Sequence, residues 1–218
     1  MTLLALGALI PNFSILLPQL IGQYGWLVYI GLFLLVFVET GVVVMPFLPG
    51  DSLLFLCGSL AAMSTHPLNL IVLAVALSIA AILGDGLNFE IGEHFGHYLT
   101  GARWFQRVVK PEHMAQSERF FAKHGKTAIF LGRFMPIIRT LIPFTAGASK
   151  MRYRDFALFN VIGGISWVLV VLSAGYFFGN IAVVKSHFEL IMLAIVVISL
   201  LPAGYLAMKK RGGVKNVN

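Results

Sequence analysis

The sequence predicts an all-α integral membrane protein: four spanning helices, two opposed re-entrant helical hairpins and an N-terminal amphipathic helix, arranged as an inverted repeat of the transporter kind in a single membrane domain. Three observations carry that prediction. Of 218 residues, 58% are hydrophobic and only 11% charged, with a mean hydropathy of +0.87, whereas soluble domains carry about a quarter charged residues. Apolar runs of spanning length alternate with shorter runs that Pro and Gly interrupt. Basic residues gather between the runs, as they do in cytoplasmic loops, with Arg133 and Arg139 as exceptions.

Residues 1–23 are apolar but broken by Pro11 and Pro18, with Asn12, Ser14, Gln19 and Gln23 between, which predicts a helix lying at the interface. The first charged side chain is Glu39, so the basic start of a cleaved secretory signal is missing. Residues 25–65 read as a first span and a hairpin. The stretch 25–45 is apolar apart from Glu39 and long enough for a hydrocarbon core of about 30 Å. Pro46, Pro49 and Gly50 supply a break, and the apolar residues after it, 52–65, are too few for a second crossing.

Residues 67–100 form the second span. Gly84, Asn88, Gly92 and Gly96 recur every four residues along it, a small-residue stripe for close helix packing. A phosphate loop is excluded because no strand precedes them. In 101–126, Arg103, Arg107, Lys110, Arg119, Lys123 and Lys126 interleave with Trp104, Phe105, Phe120 and Phe121. That pattern predicts a basic amphipathic connection on the membrane surface with Trp104 at headgroup level. Residues 127–149 are the second hairpin, broken at Gly132, Pro136 and Pro143 because Pro lacks an N–H and clashes with the preceding turn. Two further spans, 156–178 and 188–208, precede a basic tail at 209–218.

Retaining positive charge in the cytoplasm places 101–126, the cluster Lys150, Arg152 and Arg154, and the tail inside. Four spans then put both termini in the cytoplasm. The hairpin at 46–65 enters from outside and that at 127–149 from inside, which suggests an inverted repeat with a site near the midplane.

Four charged residues fall in apolar surroundings: Glu39, Asp51, Arg133 and Arg139. A guanidinium stays charged at any accessible pH, so membrane depth costs it several kcal/mol unless something polar receives it. Its planar fork matches phosphate oxygens, which makes Arg133 and Arg139 candidate phosphate ligands. Helix N-termini at the hairpin tips would add backbone donors. Low dielectric disfavours a charged carboxylate, so Glu39 and Asp51 are candidates to bind and release a proton. Structural readings stand beside these: Asp51-Ser52 also looks like a helix cap, and Glu39 also suits a static ion pair with Arg133 or Arg139. Asp85, between Gly84 and Gly86, reads as a helix cap or the end of a span.

The chain resembles the DedA family of membrane proteins over roughly residues 20–180. The resemblance rests on Phe37-Val-Glu39-Thr-Gly41 with Pro46-Phe-Leu-Pro49-Gly50-Asp51-Ser52. It rests equally on Gly132-Arg133-Phe-Met-Pro136-Ile-Ile-Arg139 with Ala146-Gly147, Met151, Phe156, Asn160, Gly163 and Trp167. It implies opposed re-entrant hairpins and movement of a lipid phosphate, either undecaprenyl phosphate or a phospholipid such as phosphatidylethanolamine, in a bacterial cytoplasmic membrane. It also implies proton coupling, with the family's acidic and arginine positions falling on Glu39, Asp51, Arg133 and Arg139.

Two other functions compete: a proton-coupled antiporter of small cations or drugs, and a structural assembly factor. An enzyme is not expected, since no His or metal cluster stands near the arginines and Ser166 has no basic partner in sequence. The single Cys57 excludes an intrachain disulfide, and no cofactor or metal is expected. A net charge of +7 points to anionic headgroups rather than nucleic acid, for which no motif is present. The partners expected are membrane lipids and protons, with a homo-oligomer left open.

Overall fold

The computed structural model describes residues 25–42, 50–62, 68–102, 111–135 and 138–179, together with 105, 109 and 181. Among these the chain is helical throughout: α1 (Trp26–Gly41), α2 (Gly50–Ala61), α3 (Leu70–Gly101), α4 (Pro111–His124), α5 (Thr127–Gly132), α6 (Leu141–Ala148) and α7 (Tyr153–Gly179). The interfacial segment 1–23, the span 188–208, the tail 209–218, Trp104 and the breaks Pro46, Pro49 and Pro136 lie outside the described residues.

Among the described residues two helices are long and apolar enough to cross a membrane, α3 with 32 residues and α7 with 27. At 1.5 Å per residue α3 is about 48 Å long, well beyond a core of about 30 Å. Its last turns, with Glu90, Glu93, His94 and His97, therefore leave the hydrocarbon. The 16 residues of α1 and 12 of α2 are also apolar, and α2 is too short to cross. Exposure is inverted relative to a soluble protein. Ile71, Val75, Ile79, Leu83 and Leu87 form an exposed stripe along α3, as Leu158, Ile162, Ile165 and Leu169 do along α7. The polar Ser78, Asp85 and Asn88 are buried on α3, and Asn160 on α7.

The chain divides into a larger unit (29–48 and 70–170) and a smaller one (1–28, 49–69 and 171–218). In the larger unit α6 crosses α3 with almost no side chain between them. A Cβ at Gly92 would meet the Phe144 carbonyl, and a Cβ at Gly147 the Phe89 carbonyl. The small-residue stripe foreseen on α3 is thus a packing surface, with Gly96 against Ala148 and Gly84 against Thr40. Around this crossing Phe89, Ile129, Ile138, Ile142 and Phe156 form a buried core. In the smaller unit α2 meets the end of α7 in the same manner. A Cβ at Gly58 would strike the Leu172 carbonyl, one at Gly175 the Phe55 carbonyl, and Ser59 Oγ donates to the Gly175 carbonyl at 2.9 Å. Phe144-x-x-Gly147 on Phe89-x-x-Gly92 and Phe55-x-x-Gly58 on Leu172-x-x-Gly175 are the same crossing twice.

Between α5 and α6 the chain runs through successive turns: the Met135 N–H donates to Gly132 O at 2.9 Å, Arg139 to Met135 O at 3.0 Å and Ile142 to Ile138 O at 2.9 Å. Pro143 is not part of this break, contrary to the sequence expectation. It stands in the first turn of α6, where a helix loses nothing by its missing N–H. The basic connection is likewise more than a surface strip. Its described part, α4, buries Ser117 against Thr145 (2.8 Å between hydroxyl oxygens) and packs Phe120 and Phe121 on the core. Gly125, at φ +56, ends α4, its N–H donating to Phe121 O at 2.7 Å, a left-handed stop that favours glycine.

Candidate functional site

Sequence places Arg133 just past the end of α5 and Arg139 just ahead of α6, so the turn between those helices turns both guanidinium groups inward. They converge on Trp167 of α7, with their central carbons 5.8 and 5.3 Å from the ring centroid. A buried indole face attracts each cation through its quadrupole. Gly163 and Gly164 of α7 lie alongside Arg133, and a Cβ on Gly164 would come within 2.9 Å of Ile82 Cγ1 on α3.

Each arginine meets an acid. Arg139 pairs with Glu39 near the end of α1, and Arg133 with Asp85 in the middle of α3. The cost of burying four charges is offset only by such pairing; Glu39 is 1% exposed, Asp85 and Arg133 5% each. The ion-pair reading of Glu39 therefore describes the geometry seen. Asp85 corrects the sequence reading: it neither caps a helix nor ends a span, but lies within α3. A lone acid in the apolar run 68–89 was the signal that could have found it.

Two asparagines hold the pairs. Asn160 Oδ1 accepts from Arg133 Nη2 at 2.8 Å, and its Nδ2 donates to the Ile82 carbonyl at 3.0 Å, fixing the arginine against α3. Asn88 Nδ2 donates to the carbonyls of Thr40 (3.2 Å) and Thr140 (2.7 Å), the residues next to Glu39 and Arg139. One amide thus braces both backbones behind that pair. All of Arg133's hydrogen bonds leave from Nη2; its buried Nε has no acceptor among the described residues.

Thr40, Asp85, Arg133, Arg139, Thr140 and Trp167 enclose a cavity of about 10 Å³, close to the minimum for a single water. Of the backbone donors expected at the tip of the second hairpin, the N–H groups of Leu141 and Ile142 both donate to the Ile138 carbonyl at 2.9 Å, and Pro143 has none. Asp51 belongs to the smaller unit, half-buried in the first turn of α2 rather than ahead of it, where a carboxylate suits the helix dipole. Gly50 opens the same helix. Among the described residues no group of His, Cys, Asp and Glu could hold a metal ion.

Known proteins resemble this chain over most of its length. Residues 48–177 match the VTT domain. Protein DedA of Escherichia coli is 46% identical over 186 residues, 85% of this chain and 84% of that one. An uncharacterised membrane protein of Mycobacterium tuberculosis is 43% identical over 182 residues (84% and 79%). The inner membrane protein YghB of Escherichia coli is 38% identical over 181 residues (82% and 81%). No solved structure matches at a significant level. A VTT domain covering more than half of the chain, with such identity across most of it, makes this a multi-pass membrane protein of the DedA family.

Proposed function

We propose that this protein moves a phosphate-bearing lipid, undecaprenyl phosphate or a phospholipid, across a bacterial cytoplasmic membrane, coupled to protons. One observation carries the reading: two guanidinium groups meet at one buried indole ring, each paired with a titratable acid. Arginine forks suit phosphate oxygens, and a carboxylate that takes up a proton releases its arginine. Glu39 is the acid on Arg139, and Asp51 on α2 is the second proton-coupling candidate. The four-span arrangement with two re-entrant hairpins and cytoplasmic termini goes with this reading. The recurrence of the reciprocal glycine crossing at α3–α6 and α2–α7 supports an internal repeat.

The test is lipid movement in proteoliposomes. Arg133→Ala alone would strand Asp85 in the interior, a loss of about 3–5 kcal/mol that confuses folding with function. The neutral double variant Arg133→Gln/Asp85→Asn keeps the charge balance. It is expected to purify like the unaltered protein and to move no lipid. Arg139→Lys keeps the charge but loses the fork, so transport should fall about tenfold or more. Unchanged rates in both would remove the phosphate clamp. The paired state of both arginines also suits a small-cation antiporter in which they are structural. In that case Arg139→Lys transports normally while Glu39→Gln does not.

A further inference from the structure

A guanidinium grips two oxygens along one of two edges, Nε with Nη2 or Nη1 with Nη2, and Nη2 belongs to both. In Arg133 that shared nitrogen is taken. We propose that Asp85 is an internal competitor for the substrate phosphate: its carboxylate occupies Arg133 Nη2, and a phosphate engages the Arg133 fork only by displacing it. This rests on the lipid-phosphate reading and assigns to the acid on α3 control over how tightly the phosphate is held.

Nη2 has two hydrogens. They meet Asp85 Oδ2 and Asn160 Oδ1, the latter at 2.8 Å, with the Ala81 carbonyl a third acceptor at 3.5 Å. Neither edge can therefore receive two phosphate oxygens while both side chains stay. Arg133 Nε, by contrast, is buried without an acceptor among the described residues. It is one half of an edge whose other half the carboxylate and the amide hold.

Charge and anchoring decide which of the two leaves. Asn160 is neutral, and its Nδ2 is tied to the Ile82 carbonyl at 3.0 Å, so it keeps the guanidinium oriented. Asp85 is an anion that repels a phosphate at short range in a poorly screening interior. It is also a short side chain on a long helix, and rotation about its own bonds frees Nη2 without moving α3. Space makes the displacement necessary: the cavity that Asp85 and Arg133 line is about 10 Å³, room for a water and not for a phosphate. Among the described residues lining it, Asp85 is the acid. In the exchange the Nη2 hydrogen bond passes from a carboxylate oxygen to a phosphate oxygen, and a second phosphate oxygen takes Nε. No covalent bond changes, and the buried guanidinium keeps an anionic partner throughout, as its burial demands. A clamp with a built-in competitor binds less tightly than a bare one, which favours release on the far side.

The full-length protein in a neutral detergent is titrated calorimetrically with dodecyl phosphate at about pH 8, where the monoester is almost wholly a dianion. Asp85→Asn keeps an acceptor for Nη2 but removes the competing charge, so it should bind about tenfold more tightly than the unaltered protein, or better. Asp85→Glu, which keeps the carboxylate, should show no such gain, and Arg133→Gln/Asp85→Asn should lose it. A gain of the same size in either control overturns the proposal. So does equal or weaker binding by Asp85→Asn while the unaltered protein binds, which leaves the phosphate clamp standing and Asp85 as a residue that only positions Arg133. Because Asp85→Asn leaves Arg133 without its counter-ion, stability gives a second readout. Dodecyl phosphate should raise the melting temperature of Asp85→Asn by more than it raises that of the unaltered protein. The variant is purified with dodecyl phosphate present, and failure to fold even then overturns the proposal, since phosphate has not taken the carboxylate's place. If neither the unaltered protein nor Asp85→Asn binds dodecyl phosphate, the lipid-phosphate reading itself falls, and this inference with it. Inorganic phosphate forms a separate arm: the same gain in Asp85→Asn at weaker affinity supports a lipid ligand, and equal affinity makes soluble phosphate the ligand while Asp85 keeps its part.

Discussion

Asn88 does the most for its size. Its single amide nitrogen bonds the carbonyl after Glu39 and the carbonyl after Arg139, so the separation of that ion pair is set from behind. Replacing it by Leu leaves two buried carbonyls without that donor, at about 1–3 kcal/mol. Asn88→Leu should therefore lower the unfolding temperature in detergent by several degrees, and a midpoint unchanged from the parent would mean the brace is idle. Asn160→Ala loosens Arg133 instead, and its expected signature is weaker phosphate binding beside a loss of stability of about 1–3 kcal/mol. At this scale sequence was a partial guide. Arg133, Arg139 and Glu39 stood out because charge in an apolar run is costly wherever the chain goes. Asp85 and the two asparagines did not, because an acid beside glycines looks the same as a cap until its partner is known.

The elements are held by backbone contact. At the α3–α6 crossing Gly92 and Gly147 each lie against the other helix's carbonyls. A methyl group there has no flexible side chain to push aside, so Gly147→Ala should cost about 1–3 kcal/mol. Gly86→Ala is the control, since its Cβ would find only the Tyr153 hydroxyl at 3.7 Å, an ordinary contact. Equal melting temperatures for the two variants would show that the crossing tolerates separation. The stripe on α3 was legible because small residues at every fourth position share one helix face. The part of Pro143 was not, since proline breaks a helix interior but is accepted in a first turn, and which of these applies depends on where the helix begins.

On the scale of the whole molecule, exposed aliphatic stripes and buried charges mark a protein that lipid surrounds. In a Cys57→Ala background, a cysteine at Val75 should stay unreactive to a membrane-impermeant maleimide. One at His97, on the exposed end of α3, should react readily; rapid labelling at Val75 would remove the bilayer from around α3. Sequence by itself determined the solvent, the helical class and the presence of costly charges, because transfer free energy is a property of composition and run length. The family followed from two motifs. Which acid meets which arginine was decided only by tertiary structure. Glu39 lies 100 residues from Arg139 and Asp85 48 from Arg133, and electrostatic pairing follows distance in space, which the α3–α6 crossing and the turn at 133–140 fix together.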